Sequence, residues 1–306
     1  MSRAGGNWRA AAGLLLAAVA GCTVSGGSPD RVWGQHGRHP GGLVRPRAIA
    51  FCPLTRELVV IDFTGRVQVF DADGNYLRGW STPTIVLGRP SGVGIGRAGE
   101  ILVADSHYAR VLVYSRSGEL LQEIAPRPGE GPGPFAYVSD VAQDDEGNYY
   151  IVEFGDHARI HKYDAQGRYL RHWGESGSGE GQLARPRGIC LARDGLLYVA
   201  DSCNHRLQVF DRDGRWQRSI GAEGAGPGQL RYPYDVAEGS DGDLYVVEFG
   251  NHRVQRFRRD GQPRGSWGGP GREPGFLHSP WGIAVDHVGR VHVTDTENHR
   301  IQRVRF

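Results

Sequence analysis

From about residue 30 onward the apolar residues come in short runs, alternating or continuous, each bounded by Gly, Pro or Asp-Gly. Runs of this kind predict strands, and no segment carries the i, i+3, i+4 spacing of an amphipathic helix, so almost no helix is expected. One stretch shows the order. "RPRGICLA" (Arg185 to Ala192) is followed by the turn "RDG", by "LLYVADS" (Leu196 to Ser202), by a short loop and by "HRLQVFD". A D-x-D-G turn then leads to "RWQRSIG", Arg215 to Gly221. Asp-Gly turns between alternating segments are hairpin signals. The stretch therefore reads as four antiparallel strands, a to d.

The same order recurs. Aligned on one Arg, the copies read "FTGRVQVFD" at Arg66, "HYARVLVYS" at Arg110, "DHARIHKYD" at Arg159, "CNHRLQVFD" at Arg206, "GNHRVQRFR" at Arg253 and "ENHRIQRVRF" at Arg300, at intervals of 44, 49, 47, 47 and 47 residues. A four-stranded sheet cannot bury both faces alone, and radial packing of the copies solves this with only short edges left open. The expected fold is all-β: a six-bladed β-propeller of four-stranded antiparallel blades. Gly- and Pro-rich linkers such as "WGESGSGEGQLARP" (Trp173 to Pro186) suit the crossing from an outer strand to the next inner one. The sixth copy lacks strand d, and "DRVWGQHG" (Asp30 to Gly37) reads like the d strand "YLRHWGESG". Residues 31–34 are expected to pair with residues 299–305 and close the ring.

"NHRLQVF", "NHRVQRF" and "NHRIQRV", preceded by "YVADS", "YVVEFG" and "HVTDT", resemble the NHL repeat over roughly residues 30 to 306. The resemblance implies a six-bladed propeller, in agreement with the count of copies, and a role in binding other molecules.

Composition adds compartment. The first residues, with Arg3 and Arg9 ahead of the apolar run "AAAGLLLAAVA", read as a secretory signal too short to span a bilayer. The run ends "VAGC" and resembles the lipobox of bacterial lipoproteins. That resemblance implies a signal peptide over residues 1–21, lipidation of Cys22, a short tether over residues 22–29 and a propeller over residues 30–306. With Thr23 rather than Asp after the cysteine, an exported, membrane-anchored lipoprotein of the cell envelope is expected, at the outer membrane or in the periplasm of a Gram-negative cell. The formal charge of +2 is too small for a nucleic-acid surface. Cys52, Cys190 and Cys203 are expected as structural thiols: the last two sit at different levels of one hairpin, too far apart for a disulfide.

The acid ending strand b (Asp62, Asp105, Glu153, Asp201, Glu248, Asp295) is followed four to six residues later by the aligned Arg in every copy. Such repetition points to framework, a charge-assisted tie across the b–c turn. His205, His252 and His299 occupy equivalent places in three neighbouring blades, and sheets spaced about 10 Å apart cannot bring all three to one zinc ion. The informative positions break the repeat. The residue after the Pro that opens strand a reads Arg47, Ser91, Ser139, Arg187, Tyr234 and Trp281, and in the third and fifth copies Asp140 and Asp235 replace Gly while Glu153 and Glu248 replace Asp. Arg47, Arg187, Tyr234, Trp281, Asp140, Asp235, Glu153 and Glu248 are thus the candidate channel-rim ligand site; a self-satisfied ring of salt bridges is the competing reading. No catalytic residue and no metal ligand is assigned.

The expected function is a non-enzymatic scaffold, a monomer without cofactor, that binds an envelope protein, peptide or polymer and touches the membrane through its lipid. The alternative is an extracytoplasmic lyase or hydrolase. Six-bladed relatives include the peptidylglycine amidating lyase, whose zinc-binding His stand after the Pro; no His stands there in this chain. A calcium-dependent variant would use Asp140, Asp235, Glu153 and Glu248, because oxygen ligands suit that ion.

Overall fold

A computed structural model describes residue 1, residues 27–155 and residues 157–306. The proposed signal segment and Cys22 lie outside the described residues. The chain forms six four-stranded antiparallel sheets. In the first blade the strands are Pro46–Cys52, Glu57–Asp62, Arg66–Asp71 and Tyr76–Ser81. The fourth runs Ile189–Leu191, Leu197–Asp201, Arg206–Phe210 and Trp216–Ile220. Among the described residues the helical content is three single 3-10 turns at Ser106–Tyr108, Ser202–Asn204 and Thr296–Asn298, in the b–c loops of the second, fourth and sixth blades.

Strand alternation sends apolar side chains to both faces of each blade, and these faces meet between neighbours. Leu102, Val138 and Ile151 belong to the core between the second and third blades, while Trp33, Leu43, Phe70 and Ile301 belong to the core between the sixth and first. The Gly-rich linkers contribute too: each of Leu43, Leu183, Leu230 and Leu277 is fully buried. A linker that looks polar in sequence therefore carries one apolar plug into the core.

The ring closes as expected. Arg31, Val32 and Trp33 pair with Arg303, Gln302 and Ile301. Arg303 reinforces the seam, with Nε donating to Asp30 Oδ1 at 2.9 Å and Nη1 to Asp73 Oδ1 at 2.7 Å in the next blade. The ordered contacts start earlier than residue 30: Trp267 Nε1 donates to the Gly27 carbonyl at 2.8 Å. In the other blades the side chain at this position of strand d covers the c–d turn of the next blade, as Trp173 covers Gly214, Trp80 covers Gly118, and Ile124 and Ile220 cover Gly167 and Gly261. Residues 27–30 take the place of the c–d turn that the sixth blade lacks.

The up-and-down order gives the propeller two unlike ends. Strands a begin, linkers arrive and b–c loops turn at the upper end; a–b and c–d turns lie at the lower. Both the segment before Arg31 and the C-terminal Phe306 are at the lower end.

Candidate functional site

The acid–arginine couples are framework, and the structure shows what they hold. Asp201 is fully buried and accepts from Arg206 Nε at 2.9 Å, Asn204 Nδ2 at 2.8 Å and Gln208 Nε2 at 3.1 Å within its hairpin, and from Ala184 N at 2.7 Å in the incoming linker. Arg206 in turn donates to the linker carbonyls of Gly179 and Gln182. The couple therefore ties hairpin to linker rather than only bridging the b–c turn. Asp62, Asp105, Glu248 and Asp295 pair with their Arg in the same way. The third blade departs: Glu153 Oε2 accepts from His161 Nε2 at 2.6 Å, and His161 stands where Gln208 and Gln255 stand in other blades. The repeat histidines are staples between blades. Nδ1 of His205, His252 and His299 accepts the backbone N–H of Tyr232, Ser279 and Arg45, at 3.1, 2.9 and 3.0 Å, in the linker ahead of the next blade.

Glu153 and Glu248 are consequently not rim ligands. Both are buried, and their oxygens are taken up by His161 and Ala136 N in one case and by Arg253, Gln255, Asn251 and Arg231 N in the other. Strand b is second from the axis, and its last side chain turns toward strand c and the linker, away from the channel.

The channel itself is a cavity of about 470 Å³ walled by strands a of all six blades. At its upper mouth stand Arg47, Arg187, Tyr234 and Trp281. The register slips at Pro46/Ala48, Val138/Asp140 and Pro233/Asp235, so Arg47, Ser139 and Tyr234 are bulge residues; a bulge re-aims its side chain out of the ladder. The two serines of the ring do other work. Ser91 Oγ donates to the Val138 and Ser139 carbonyls and Ser139 Oγ to that of Pro186, stapling each blade to the next.

Aromatic rings, not carboxylates, surround the two arginines. Arg47 lies over Phe63 at 4.7 Å and over Trp281 at 4.8 Å; Arg187 lies over Phe154 at 4.5 Å and over Tyr234 at 5.2 Å. Neither makes an ion pair with the described residues, and the salt-bridged ring that the sequence also allowed is not what this mouth contains. Burial lowers both guanidinium pKa values, and for Arg47 the like charges of Arg187, Arg89 and Arg45 add to the effect, bringing it down to about 10. Phe63, Phe154 and Phe249 had no role in the sequence reading. The signal was there: odd blades place Phe directly after the strand-b acid, where even blades place Ser106, Ser202 or Thr296. Ser202 and Thr296 donate to the carbonyls of Pro233 and Pro46, whereas Phe249 stacks on Tyr234 with centroids 4.5 Å apart.

One level deeper, Asp140 and Asp235 flank Gly188. Asp140 Oδ2 accepts from Ile189 N and Asp235 Oδ2 from Ile283 N, both at 3.0 Å, each reaching the strand a of the following blade. The close approach needs glycine, since a β-carbon at Gly188 would stand 2.5 Å from Asp235 Oδ1. Burial raises both carboxyls above the ordinary range, with Asp235 adding to the shift of Asp140. Asp140 and Asp235 thus line the channel as expected, but not beside the arginines as partners. Because Glu153 and Glu248 face elsewhere, the four carboxylates do not converge on a calcium site, and no group of three or more His, Cys, Asp or Glu is gathered for a metal among the described residues.

Of the three thiols, Cys52 is buried, and Cys190 is pushed up to about 12, chiefly by burial. Cys203 is exposed on the upper b–c loop. All three are free.

The NHL repeat family matches residues 183–210, 230–257 and 277–304, which are strands a to c of the fourth, fifth and sixth blades with the ends of their linkers. The chain is a six-bladed β-propeller with NHL repeats in its last three blades. It is similar to NHL repeat-containing protein 3 of Mus musculus, 31% identical over 47% of this chain and 44% of that protein. It is also similar to peptidyl-glycine alpha-amidating monooxygenase B of Xenopus laevis, 26% identical over 58% of this chain and 20% of that one. The chain thus spans less than half the length of these curated relatives. A solved gluconolactonase from Xanthomonas campestris shares the fold with a TM-score of 0.67 and 14% identity, over 90% of this chain and 96% of that one.

Proposed function

We propose that this NHL propeller is an exported, lipid-anchored binding module without catalysis of its own, which takes up a ligand or a projecting segment of an envelope partner at the mouth of its channel. The observation that carries the reading is the pair of half-buried guanidiniums, Arg47 and Arg187, held by rings and left without a carboxylate. Charge brought out of water without a partner is costly, and the framework arginine is paired with a carboxylate in the first, second, fourth, fifth and sixth blades. The placement of the termini supports an orientation. Among the described residues Gly27, a few residues after Cys22 in the chain, already contacts the propeller through Trp267, next to the strand that starts at the lower end. An acyl group at Cys22 would hold the lower end against the membrane and leave the arginine mouth facing away from it.

The test is a crosslinking pull-down from the cell envelope with wild type and with Arg47→Ala/Arg187→Ala. Loss of a partner from the variant is the expected result; identical partner sets would remove the mouth as the binding site. Mass spectrometry of the mature N-terminus tests the anchor, with acylation at Cys22 expected and an unmodified N-terminal peptide counting against it.

A lyase or hydrolase in the same channel is the second reading, favoured by the Asp140–Asp235 pair, because carboxyls whose pKa is raised by burial are suited to acid–base work. Divalent-metal analysis of the unchelated protein and thermal shift with added calcium discriminate: neither metal nor shift is expected for the binding module.

A further inference from the structure

Arg47 and Arg187 rise from the first and fourth blades, on opposite sides of a six-bladed ring. Both lean inward enough for their guanidinium carbons to lie over the same indole, Trp281, at 4.8 and 5.8 Å from its centroid. One small ligand can touch both. Their flat faces are already covered: Phe63 and Trp281 for Arg47, Phe154 and Tyr234 for Arg187. What the rings leave to polar partners is the N–H edge, and on Arg187 part of that edge is bonded by the Tyr234 side chain. A guanidinium has five N–H donors, and the protein bond made by the edge of Arg47 is a long one, Nη1 to the Pro90 carbonyl at 3.4 Å. Planar, edge-on N–H donors match a carboxylate or phosphate in bidentate fashion.

Resting on the reading of the mouth as a binding site, we propose that Arg47 and Arg187 form a two-guanidinium clamp for a single oxyanion, a carboxylate or phosphate, on a ligand whose uncharged stem follows it into the channel. The surroundings fit both parts. Arg89 adds positive charge around the mouth and lies over Phe63, at 5.4 Å, whereas Arg45, also near Arg47, is paired with Glu297 at 3.1 Å. An incoming anion meets attraction there and relieves the repulsion among the arginines. Below the clamp the wall is formed by Gly92, Gly188 and Gly282, by Asp140 and Asp235, and by apolar side chains such as Val93, Ile189 and Ile283, while Arg193, Glu238, Asp286 and His287 line it only toward the lower end. Asp140 and Asp235, held toward their neutral form by burial, neither repel the head nor offer a fixed charge to the stem. A stem with hydrogen-bonding groups but no charge is what such a wall accepts, and about 470 Å³ lies within the size range of small-molecule sites.

The test uses the full chain in detergent micelles, titrated calorimetrically with benzoate and phenyl phosphate and with their uncharged counterparts benzamide and phenol. At least one anion is expected to bind about tenfold or more tightly than its neutral counterpart, with a further loss of about tenfold for Arg47→Met and again for Arg187→Met. Tighter phenyl phosphate assigns the head as phosphate; tighter benzoate assigns it as carboxylate. Arg47→Lys is the variant that keeps charge and fold: it should weaken the anion while leaving the thermal midpoint of the free protein unchanged. Benzamide binding as well as benzoate, or anion affinities indifferent to both Met variants, would overturn the clamp. So would failure of both anions to bind. The envelope pull-down is read separately: partner loss without anion binding keeps the binding module and removes the clamp, and anion binding with unchanged partners does the reverse.

Discussion

Trp33 tests the closure of the ring. It sits in the only strand of the sixth blade that the chain supplies from its N-terminal side, it is 6% exposed, and its ring lies 4.7 Å from that of Phe70 across the seam. The indole also fills the space above Gly74, where even a β-carbon would collide with it. Trp33→Ala removes this ring from the core that the sixth and first blades share. Buried Trp-to-Ala changes cost about 3–5 kcal/mol through lost transfer energy and the cavity left behind. The indole N–H has no partner among the described residues, so no hydrogen bond is lost and the whole cost is packing. Trp33→Phe, which keeps most of the ring, should cost about 1 kcal/mol. Against a total stability of about 5–15 kcal/mol the alanine variant is strongly weakened. Urea unfolding followed by far-UV circular dichroism reads the change as a lower midpoint at unchanged slope. Deletion through residue 36 should exceed it, because Asp30, one of the two acids on Arg303, goes as well. An alanine variant with the wild-type midpoint would refute the argument that this strand holds the ring shut.

Three further outcomes follow from the framework and the channel. Asp201→Ala strands four donors at once and should cost about 3 kcal/mol or more in thermal or urea melts; a loss below about 1 kcal/mol would mean that the tie is redundant. His161→Gln should be tolerated within about 1 kcal/mol, because Gln255 meets Glu248 at 2.8 Å in the equivalent place, whereas His161→Leu leaves the Glu153 carboxylate short of a partner and should cost about 2–4 kcal/mol. Equal melting of the two variants would show that Glu153 does not depend on that partner. Asp235→Asn should change the pH profile. The buried carboxyl has a raised pKa, so the folded state keeps a proton that the unfolded chain releases above about pH 4, and wild type loses stability as pH rises from there through the folded pKa. Asn does not ionise and its amide oxygen can still accept from Ile283. The variant should therefore gain on wild type across that window, by about 1.4 kcal/mol per pK unit removed, and not below it. A difference curve flat with pH would sink the idea of a retained proton.

Much of the framework was legible in the residues. The acid–arginine spacing identified the ties because it recurs in every copy, and the histidines could be set aside as zinc ligands on blade spacing alone. Where the legibility failed, the reason was direction rather than identity. Glu153 and Glu248 vary together with Asp140 and Asp235, and covariation of position along the chain cannot say which way a side chain points. Strand b lies one strand outward, so its terminal carboxylates turn to the linker while those of strand a face the channel. The phenylalanines after the strand-b acids carried a clear odd–even alternation, but their role becomes visible only when rings from one loop are seen beneath arginines from strand a.

The sequence by itself determined the number of blades, the order of strands within them and the pairing of residues near position 31 with those near position 300. Repeat period, turn chemistry and alternation are local properties, and a radial stack is what they can build. Tertiary structure alone decided what the channel mouth is. Whether Arg47 and Arg187 meet acids or rings depends on which side chains the blades bring to the axis, and that is set by bulges, by glycines that let neighbouring strands close in, and by packing between residues far apart in the chain. A guanidinium left uncompensated is a property of a place, and a place exists only after folding.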